Sequence, residues 1–290
     1  MRHIELVPGI HSSVIGFGCA PILGAVGHRE AGRAIDVALD VGINHFDLAR
    51  SYGYGRAEAM VGCMLRGKRD QVVLATKFGI EASPAAYFLS PLKPLIRALR
   101  RRRSPGTAPA TSAPNPAERP VERPSNRMAS LLHRRVPLEP ATMVRSLEAS
   151  LRALGTDRVD YFFVHEPTGN IARVDELAAA AEQIKKQGKI RAWGLAFSYK
   201  DLSVHALYLR SFDVLQFNCS PGVPDYRDVV AERGGHPNIF FSPFRHRTGS
   251  GEAHGPAAIL RRLVLDFPRS VVLCSMFSEA HIRANAEAVP

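Results

Sequence analysis

Eight short apolar segments, each followed by a stretch with helical spacing, constrain the fold more than any other feature of the sequence. Most of them are near-continuous in Val, Ile, Leu and Phe, which is typical of parallel strands buried on both faces. An order of eight strands alternating with helices predicts an α/β protein, a closed (β/α)8 (TIM) barrel formed by one domain over residues 1–290. The segments are Val14–Cys19, Ile43–Asp47, Val72–Lys77, Val159–His165, Ile190–Ala196, Val214–Asn218, Ile239–Ser242 and Val271–Cys274.

An open, doubly wound sheet is the alternative arrangement for alternating strands and helices. Its dinucleotide-binding fingerprint requires G-x-G-x-x-G directly after the first strand and at the start of a helix. The matching stretch here runs from Gly16 to Pro21 (GFGCAP), so it lacks the third glycine and has proline where a long helix would begin. The sequence therefore favours the closed barrel.

Residues 81–140 form an insertion of different composition. They contain 11 of the 21 prolines and 11 Lys or Arg against four Asp or Glu, so they carry +7 of the net charge of +11. A Pro- and Arg-rich segment of this kind predicts a solvated insertion, either a lid over the barrel mouth or a disordered stretch. The charge is thus concentrated in one segment, and no aromatic platform accompanies it, which argues against a nucleic-acid partner.

Several further classes of protein are disfavoured by what the sequence lacks. No basic region followed by an apolar region opens the chain, and no stretch of about 18 apolar residues occurs, so we expect neither a secretory signal nor a membrane span. The cysteines Cys19, Cys63, Cys219 and Cys274 form no C-x-x-C pair, which predicts free thiols and a cytoplasmic protein. None of the 11 histidines lies in an H-E-x-x-H motif, so we expect no metal site.

Four polar residues of complementary chemistry follow neighbouring predicted strands. Asp47 ends the second strand, Tyr52 lies in the loop after it, Lys77 ends the third strand and His165 the fourth. In a (β/α)8 barrel these positions share the carboxyl-terminal rim. Each residue alone could have a structural role, but the set suits proton transfer to a carbonyl oxygen. We expect the Lys77 ammonium to lower the pKa of the Tyr52 phenol, Asp47 to hold the ammonium, and His165 to orient the substrate oxygen.

These segments resemble the signatures of the aldo-keto reductase family. The likeness rests on Asp47-x-Ala49-x-x-Tyr52-Gly53, on Thr76-Lys77-Phe78-Gly79 and on His165 in VDYFFVHEP, and it extends in order from about Ile15 to Asn285. The resemblance implies an NAD(P)H-dependent oxidoreductase that transfers hydride to a small aldehyde or ketone, or in reverse from a sugar-like alcohol. Tyr52 would be the acid-base residue, assisted by Lys77, Asp47 and His165.

The same resemblance assigns cofactor contacts. Gln216 would bind the nicotinamide carboxamide, Phe241 would stack on the nicotinamide ring, and Asn285 would contact the adenine. The remaining contacts would be to the pyrophosphate, with Ser242 and Pro243 opening its loop and Arg245 and Arg247 pairing with phosphate oxygens.

The sequence departs from the family pattern at two cofactor positions. Ala196-Phe197 stand where many members carry Ser-Asn, which holds the carboxamide, and Ser275 and His281 stand where one branch carries the Lys and Arg that bind the 2′-phosphate of NADPH. NADP is the expected cofactor, with NAD possible. These departures leave open a second class of function, a nucleotide-binding regulatory or scaffold protein with little turnover. The sequence does not indicate an oligomeric state.

Overall fold

The computed structural model describes residues 1–89, 132–218, 237–244 and 255–289. Strands in these ranges are β1 (His3–Val7), β2 (Ile10–Ser13), β3 (Ile15–Gly18), β4 (His45–Asp47), β5 (Val73–Phe78), β6 (Ile80–Ala82), β7 (His133–Arg135), β8 (Val159–His165), β9 (Ile190–Phe197), β10 (Val214–Asn218), β11 (Asn238–Phe241) and β12 (Ser270–Cys274). Eight of them close into a barrel in the order β3-β4-β5-β8-β9-β10-β11-β12, and each neighbouring pair is parallel. The predicted (β/α)8 barrel is confirmed.

All eight predicted strands are barrel strands, and their limits agree to within two residues. The strand β8 has the predicted bounds, Val159–His165, and so does β10, Val214–Asn218. The largest difference is at β4, which begins at His45 rather than Ile43. Ile43 is buried in the core but makes no strand pairing, and for this reason the apolar run in the sequence begins before the strand does.

Helices alternate with the barrel strands along the chain. They are α1 (His28–Asp40), α2 (Ala57–Met64), α3 (Pro84–Leu89), α4 (Pro140–Leu154), α5 (Val174–Lys186), α6 (Leu202–His205), α7 (Pro256–Asp266) and α8 (Glu279–Glu287). Helix α4 shows the pattern well, since it buries Met143, Leu147, Leu151 and Leu154 at helical spacing. It ends at Gly155, whose φ of 67° is the left-handed conformation that glycine adopts without steric cost.

A hairpin at the amino terminus was not predicted. Strands β1 and β2 pair antiparallel, and Leu6 and Ile10 pack in one buried cluster with Tyr161 and Phe163 from the barrel interior. The β1 segment alternates polar and apolar residues and is only partly buried, so it lacks the continuous apolar run that marks the barrel strands. The hairpin covers the end of the barrel opposite the rim.

The predicted insertion is bounded by a second hairpin. Strand β6 pairs antiparallel with β7, and helix α4 begins at Pro140, so both ends of the insertion belong to regular structure. The prediction of a lid or a disordered stretch was made for residues 81–140, and most of this range, residues 90–131, lies outside the described residues. In the described ranges, no helix has the length and apolar composition needed to cross a membrane.

A buried histidine at the start of strand β4, His45, is expected to make stability depend on pH. His45 is fully buried, its Nδ1 lies 3.2 Å from the Ser12 hydroxyl, and its ring stacks on Tyr161 at 5.4 Å between centroids. Burial, followed by the charge of Lys77, lowers the pKa of His45 from its usual value to about 3. Between an unfolded value of about 6.5 and that folded value, the unfolded chain binds a proton that the native chain does not, so stability falls as pH falls.

Replacing His45 by Gln is therefore expected to flatten the pH dependence of stability. Below about pH 6.5, the wild-type free energy of unfolding should fall by roughly 1.4 kcal/mol per pH unit on account of this residue alone. Urea unfolding at a series of pH values from neutral to acid measures the slope. The matched control is His281→Gln, since His281 is exposed. If His45→Gln and the wild type have the same slope, burial of a neutral His45 is not a source of acid sensitivity.

Candidate active site

The carboxyl-terminal rim of the barrel concentrates backbone strain. Four described residues other than glycine have left-handed φ, and they are Leu23, Tyr54, Glu166 and Ser242 at 57°, 61°, 41° and 54°. Each lies in the loop that directly follows a barrel strand, namely β3, β4, β8 and β11. Such conformations cost about 1–3 kcal/mol each and cluster where a binding or catalytic geometry must be held. The rim is therefore the candidate functional site.

A buried ion pair lies at the centre of this rim. The Lys77 ammonium donates to both carboxylate oxygens of Asp47, each at 2.7 Å, and to the carbonyl oxygen of Leu48 at 2.8 Å. Lys77 is 2% exposed and Asp47 is 4% exposed, so neither charge is screened by water. The pairing follows from the parallel register, which places the ends of neighbouring strands β4 and β5 side by side.

Tyr52 is held beside this pair by a 3-10 turn, Tyr52–Gly55, that joins β4 to α2. The turn requires Gly53, whose φ is 57° and where a Cβ would lie 2.9 Å from the carbonyl oxygen of Ile22. The Tyr52 ring is half-buried, and its centroid lies 5.2 Å from the Lys77 Nζ. The centroids of the Tyr52 and His165 rings are 6.0 Å apart, and the two rings meet edge to face at an angle of 81°. The four residues selected from the sequence thus lie in one cluster.

The expected lowering of the Tyr52 pKa is wrong in direction. Burial raises the pKa of Tyr52 well above the ordinary phenol value, and the negative charges of Asp47 and Glu166 raise it further. The Lys77 ammonium is bound to both oxygens of Asp47, and its positive charge does not outweigh these effects. Tyr52 is consequently a protonated phenol at neutral pH, the form that can give a proton to a developing alkoxide.

His165 is neutral for a related reason. Burial lowers the pKa of its imidazole well below the usual value, and the positive charges of Lys77 and Arg135 lower it further. Its Nδ1 is buried without a hydrogen-bond partner in the ranges that the structure covers. A neutral imidazole carries one N–H and one lone pair, so His165 is able to donate one hydrogen bond to a substrate oxygen.

A second buried carboxylate behind the tyrosine turn was missed from the sequence. Glu58 in α2 is 1% exposed, and it accepts hydrogen bonds from Arg50 at 2.6 Å and from the Thr76 hydroxyl at 2.7 Å. These contacts tie the loop after Asp47 to strand β5, one residue before Lys77. The only sequence signal was a glutamate on a helix with buried neighbours, which does not distinguish a buried charge from a solvated one.

Gln216 lies next to the ion pair and is suited to a carboxamide. Its side-chain nitrogen donates to Asp47 at 2.8 Å, while its side-chain oxygen is buried with no hydrogen-bond partner in the described part of the chain. A buried, unsatisfied acceptor is costly unless a ligand supplies a donor, and the NH2 group of a nicotinamide carboxamide is such a donor. The residues at this position therefore fit the cofactor that the sequence indicates.

The other residues selected for cofactor contacts lie on the β11 and β12 side of the barrel. Phe241 ends β11 half-buried, Ser242 follows it in the left-handed conformation, and Pro243 is buried. Asn285 in α8 is buried, and its amide nitrogen lies 3.5 Å from the Met276 sulfur. Arg245 and Arg247 lie outside the described residues.

The departure at the end of β9 has a visible structural consequence. Ala196 and Phe197 are buried, so neither offers a polar side chain at the rim. The nearby Ser198 hydroxyl donates to the side-chain oxygen of Asn218 at 3.4 Å, and the Tyr199 backbone N–H donates to the same oxygen at 2.7 Å. Asn218 thus connects the ends of β9 and β10.

Across residues 1–89, 132–218, 237–244 and 255–289, no group of three His, Cys, Asp or Glu side chains could hold a metal ion.

Known proteins resemble this chain in sequence and in fold. A model of the aldo/keto reductase family matches residues 14–229. Aldo-keto reductase YhdN of Bacillus subtilis is 29% identical over 194 residues, which are 65% of this chain and 44% of that protein. D-threo-aldose 1-dehydrogenase of a Pseudomonas species is 25% identical over 213 residues, 71% of this chain and 56% of that protein. This chain therefore spans about half the length of these curated relatives.

Solved structures have the same architecture at lower identity. The holo form of an aldo-keto reductase from Bacillus halodurans superposes with a TM-score of 0.67 at 22% identity, covering 99% of this chain and 90% of that one. An aldo-keto reductase from Klebsiella pneumoniae in complex with NADPH superposes with a TM-score of 0.64 at 19% identity, with coverages of 99% and 89%. At these low sequence identities, the structural likeness establishes the fold and nothing further.

Proposed function

Because the chain belongs to the aldo/keto reductase family, we propose that it is an NAD(P)H-dependent oxidoreductase acting on a small aldehyde or ketone, or in reverse on a sugar-like alcohol. The observation that carries the proposal is the cluster of Tyr52, Lys77, Asp47 and His165 at one rim of the barrel. The cluster supplies a protonated acid, a buried cation beside it and a neutral hydrogen-bond donor. A carbonyl oxygen that gains negative charge needs these three groups.

The bound nicotinamide would supply the hydride, which adds to the carbonyl carbon. Tyr52 and His165 bind the carbonyl oxygen, and the Tyr52 phenol gives its proton to that oxygen as the hydride arrives, so the product is an alcohol. Lys77 stabilises the phenolate that remains, Asp47 holds Lys77 in place, and solvent returns the proton. The raised pKa of Tyr52 keeps the phenol protonated at neutral pH, which is the form that reduction of a carbonyl uses.

The cofactor would lie across the β10–β12 side of the rim. Gln216 would accept a hydrogen bond from the carboxamide, and Phe241 would stack on the nicotinamide ring. Ser242, Pro243, Arg245 and Arg247 would face the pyrophosphate, and Asn285 the adenine. A Schizosaccharomyces pombe relative, 26% identical over 187 residues, is named with NADP(+), which supports NADP as the cofactor.

Cys19, Cys63 and Cys274 are free thiols, as suits a cytoplasmic enzyme.

Turnover with either nicotinamide tests this proposal. The protein is incubated with NADPH or NADH and a panel of aldehydes and ketones, and oxidation of the cofactor is followed by absorbance. We expect turnover that needs both partners, with NADPH preferred. Ser275 and His281 lack the charge that most strongly selects the 2′-phosphate, so a modest preference is expected. Cofactor binding without turnover of any carbonyl would instead support a regulatory or scaffold role.

A further inference from the structure

The hairpin of β6 and β7 borders the catalytic cluster on one side. Strand β6 follows β5 after Gly79 and packs against the 3-10 turn that holds Tyr52. From β7, Arg135 donates to the carbonyl oxygen of Glu166, the residue that follows His165. Gly79 has a φ of 110°, and a Cβ there would lie 3.5 Å from the His165 carbonyl oxygen, so the hairpin approaches the β8 end closely. The hairpin therefore lies beside both Tyr52 and His165.

A groove of about 270 Å³ lies between this hairpin and the first turns of α4, and we name it the guanidinium groove. Its polar lining is Glu81, Arg134, Arg135, Thr142 and Arg145. Arg134 pairs with Glu81 at 3.0 Å, and the Arg145 guanidinium donates to the Thr142 hydroxyl at 2.9 Å. Three guanidinium groups and one carboxylate line the groove, which leaves it with an excess of positive charge.

Two of these arginines remain available to an anion. Within the described residues, neither Arg135 nor Arg145 pairs with a carboxylate, and the contacts of both side chains there are to neutral oxygens. Each guanidinium has five N–H donors in a planar fork that matches a carboxylate or a phosphate. Both side chains are exposed, so a ligand would meet them without rearrangement of the core.

The groove lies away from the proposed cofactor contacts. It adjoins β5 and β8, and in the closed order of strands this pair is opposite β11 and β12. Gln216, Phe241 and Asn285 are on β10, β11 and the final helix. The phosphates of a nicotinamide cofactor bound there would lie across the barrel mouth from the groove, whereas Arg135 of the groove contacts the residue next to His165.

We infer that the guanidinium groove binds the anionic end, a phosphate or a carboxylate, of a carbonyl substrate whose reactive carbon lies at Tyr52. This inference rests on the proposed oxidoreductase function and narrows its substrate class to short carbonyl compounds with a negative charge. Arg135 and Arg145 would be the residues that bind the charge. Arg135 would also hold the anion close to His165 through its contact with Glu166.

Pairs of substrates in which one member carries an anionic group that the other lacks test the inference. We compare kcat/KM for glycolaldehyde with that for glycolaldehyde phosphate, and for butanal with that for succinic semialdehyde. Charge-assisted hydrogen bonds predict that the anionic member of at least one pair is preferred by about tenfold to a hundredfold. The phosphate pair and the carboxylate pair distinguish the two anions. The preference should weaken as salt is added, because the groove is exposed.

Two variants test which residues carry the preference. Arg145→Gln and the double variant Arg135→Gln/Arg145→Gln should each lower the ratio of charged to neutral kcat/KM, the double variant by about tenfold or more. The matched control is Arg262→Gln in α7, an exposed arginine that pairs only with Asp266 in the described chain and should leave the ratio unchanged. Thermal unfolding checks that the variants fold.

Three results would overturn the inference in ways that separate it from the proposed function. Equal kcat/KM for charged and neutral substrates would refute the groove while the oxidoreductase function stands. An unchanged ratio in the double variant would refute these arginines as the site. If no aldehyde is turned over, calorimetric titration of glycolaldehyde phosphate and succinic semialdehyde decides the matter, since equal binding to wild type and double variant refutes the groove.

Discussion

Tyr52→Phe is expected to lower kcat for carbonyl reduction by about 10²–10⁴-fold, the usual contribution of a positioned general acid. The phenyl ring keeps the shape of the turn and its contact with His165, but no proton can be given to the alkoxide. Cofactor affinity should change little, because the proposed cofactor contacts lie on β10, β11 and α8. Steady-state kinetics measure kcat, and titration of cofactor fluorescence measures affinity.

The matched control for this variant is Tyr54→Phe in the same 3-10 turn. Tyr54 also has a left-handed φ, and Phe imposes the same backbone demand there, so the substitution tests the turn without touching Tyr52. We expect Tyr54→Phe to retain most of the activity. If the Tyr52→Phe variant had the same kcat as the wild type, Tyr52 would not be the general acid.

Lys77→Met is expected to destabilise the fold by about 3–5 kcal/mol as well as to abolish activity. The substitution leaves the Asp47 carboxylate 4% exposed and without its cation, and breaking a buried ion pair by removing one partner has a cost of this size. Denaturant unfolding at neutral pH gives the change in the free energy of unfolding. The double variant Asp47→Asn/Lys77→Met removes both charges and should recover a large part of the lost stability.

An exposed pair provides the comparison for Lys77. Lys189 pairs with Glu148 on the surface, where both side chains are about one third exposed. Lys189→Met is therefore expected to change stability by roughly 0–1 kcal/mol. If Lys77→Met were no more destabilising than Lys189→Met, the ion pair at the rim would not be the buried, tightly held pair that the distances indicate.

The barrel and the grouping of the candidate site residues could be predicted because both follow from simple regularities. Parallel strands buried on both faces are continuous apolar runs, and this is why β8 and β10 were predicted to the residue. Barrel geometry then places every strand end at one rim. Asp47, Lys77 and His165 could be grouped without knowing any distance between them.

The features that could not be predicted depend on pairing and burial instead. The β6–β7 hairpin joins Ile80 to Arg135 across a long segment, and no periodicity in the sequence indicates which residues pair. Burial of the Glu58 charge depends on Arg50 and Thr76 meeting it in three dimensions. The direction predicted for the Tyr52 pKa was wrong because burial of the phenol, followed by the negative charges of Asp47 and Glu166, raises this pKa, and the sequence does not show how deeply a loop tyrosine is buried.

Transfer of deuterium from the cofactor tests the central claim most directly. NADPH carrying deuterium at the hydride-donating carbon of the nicotinamide is mixed with the protein and an accepted aldehyde, and the alcohol is analysed by mass spectrometry. Hydride transfer at this rim predicts an alcohol with one deuterium on the former carbonyl carbon, formed by wild type and strongly reduced in Tyr52→Phe. Alcohol without deuterium, or labelled alcohol formed equally fast by both proteins, would contradict the account.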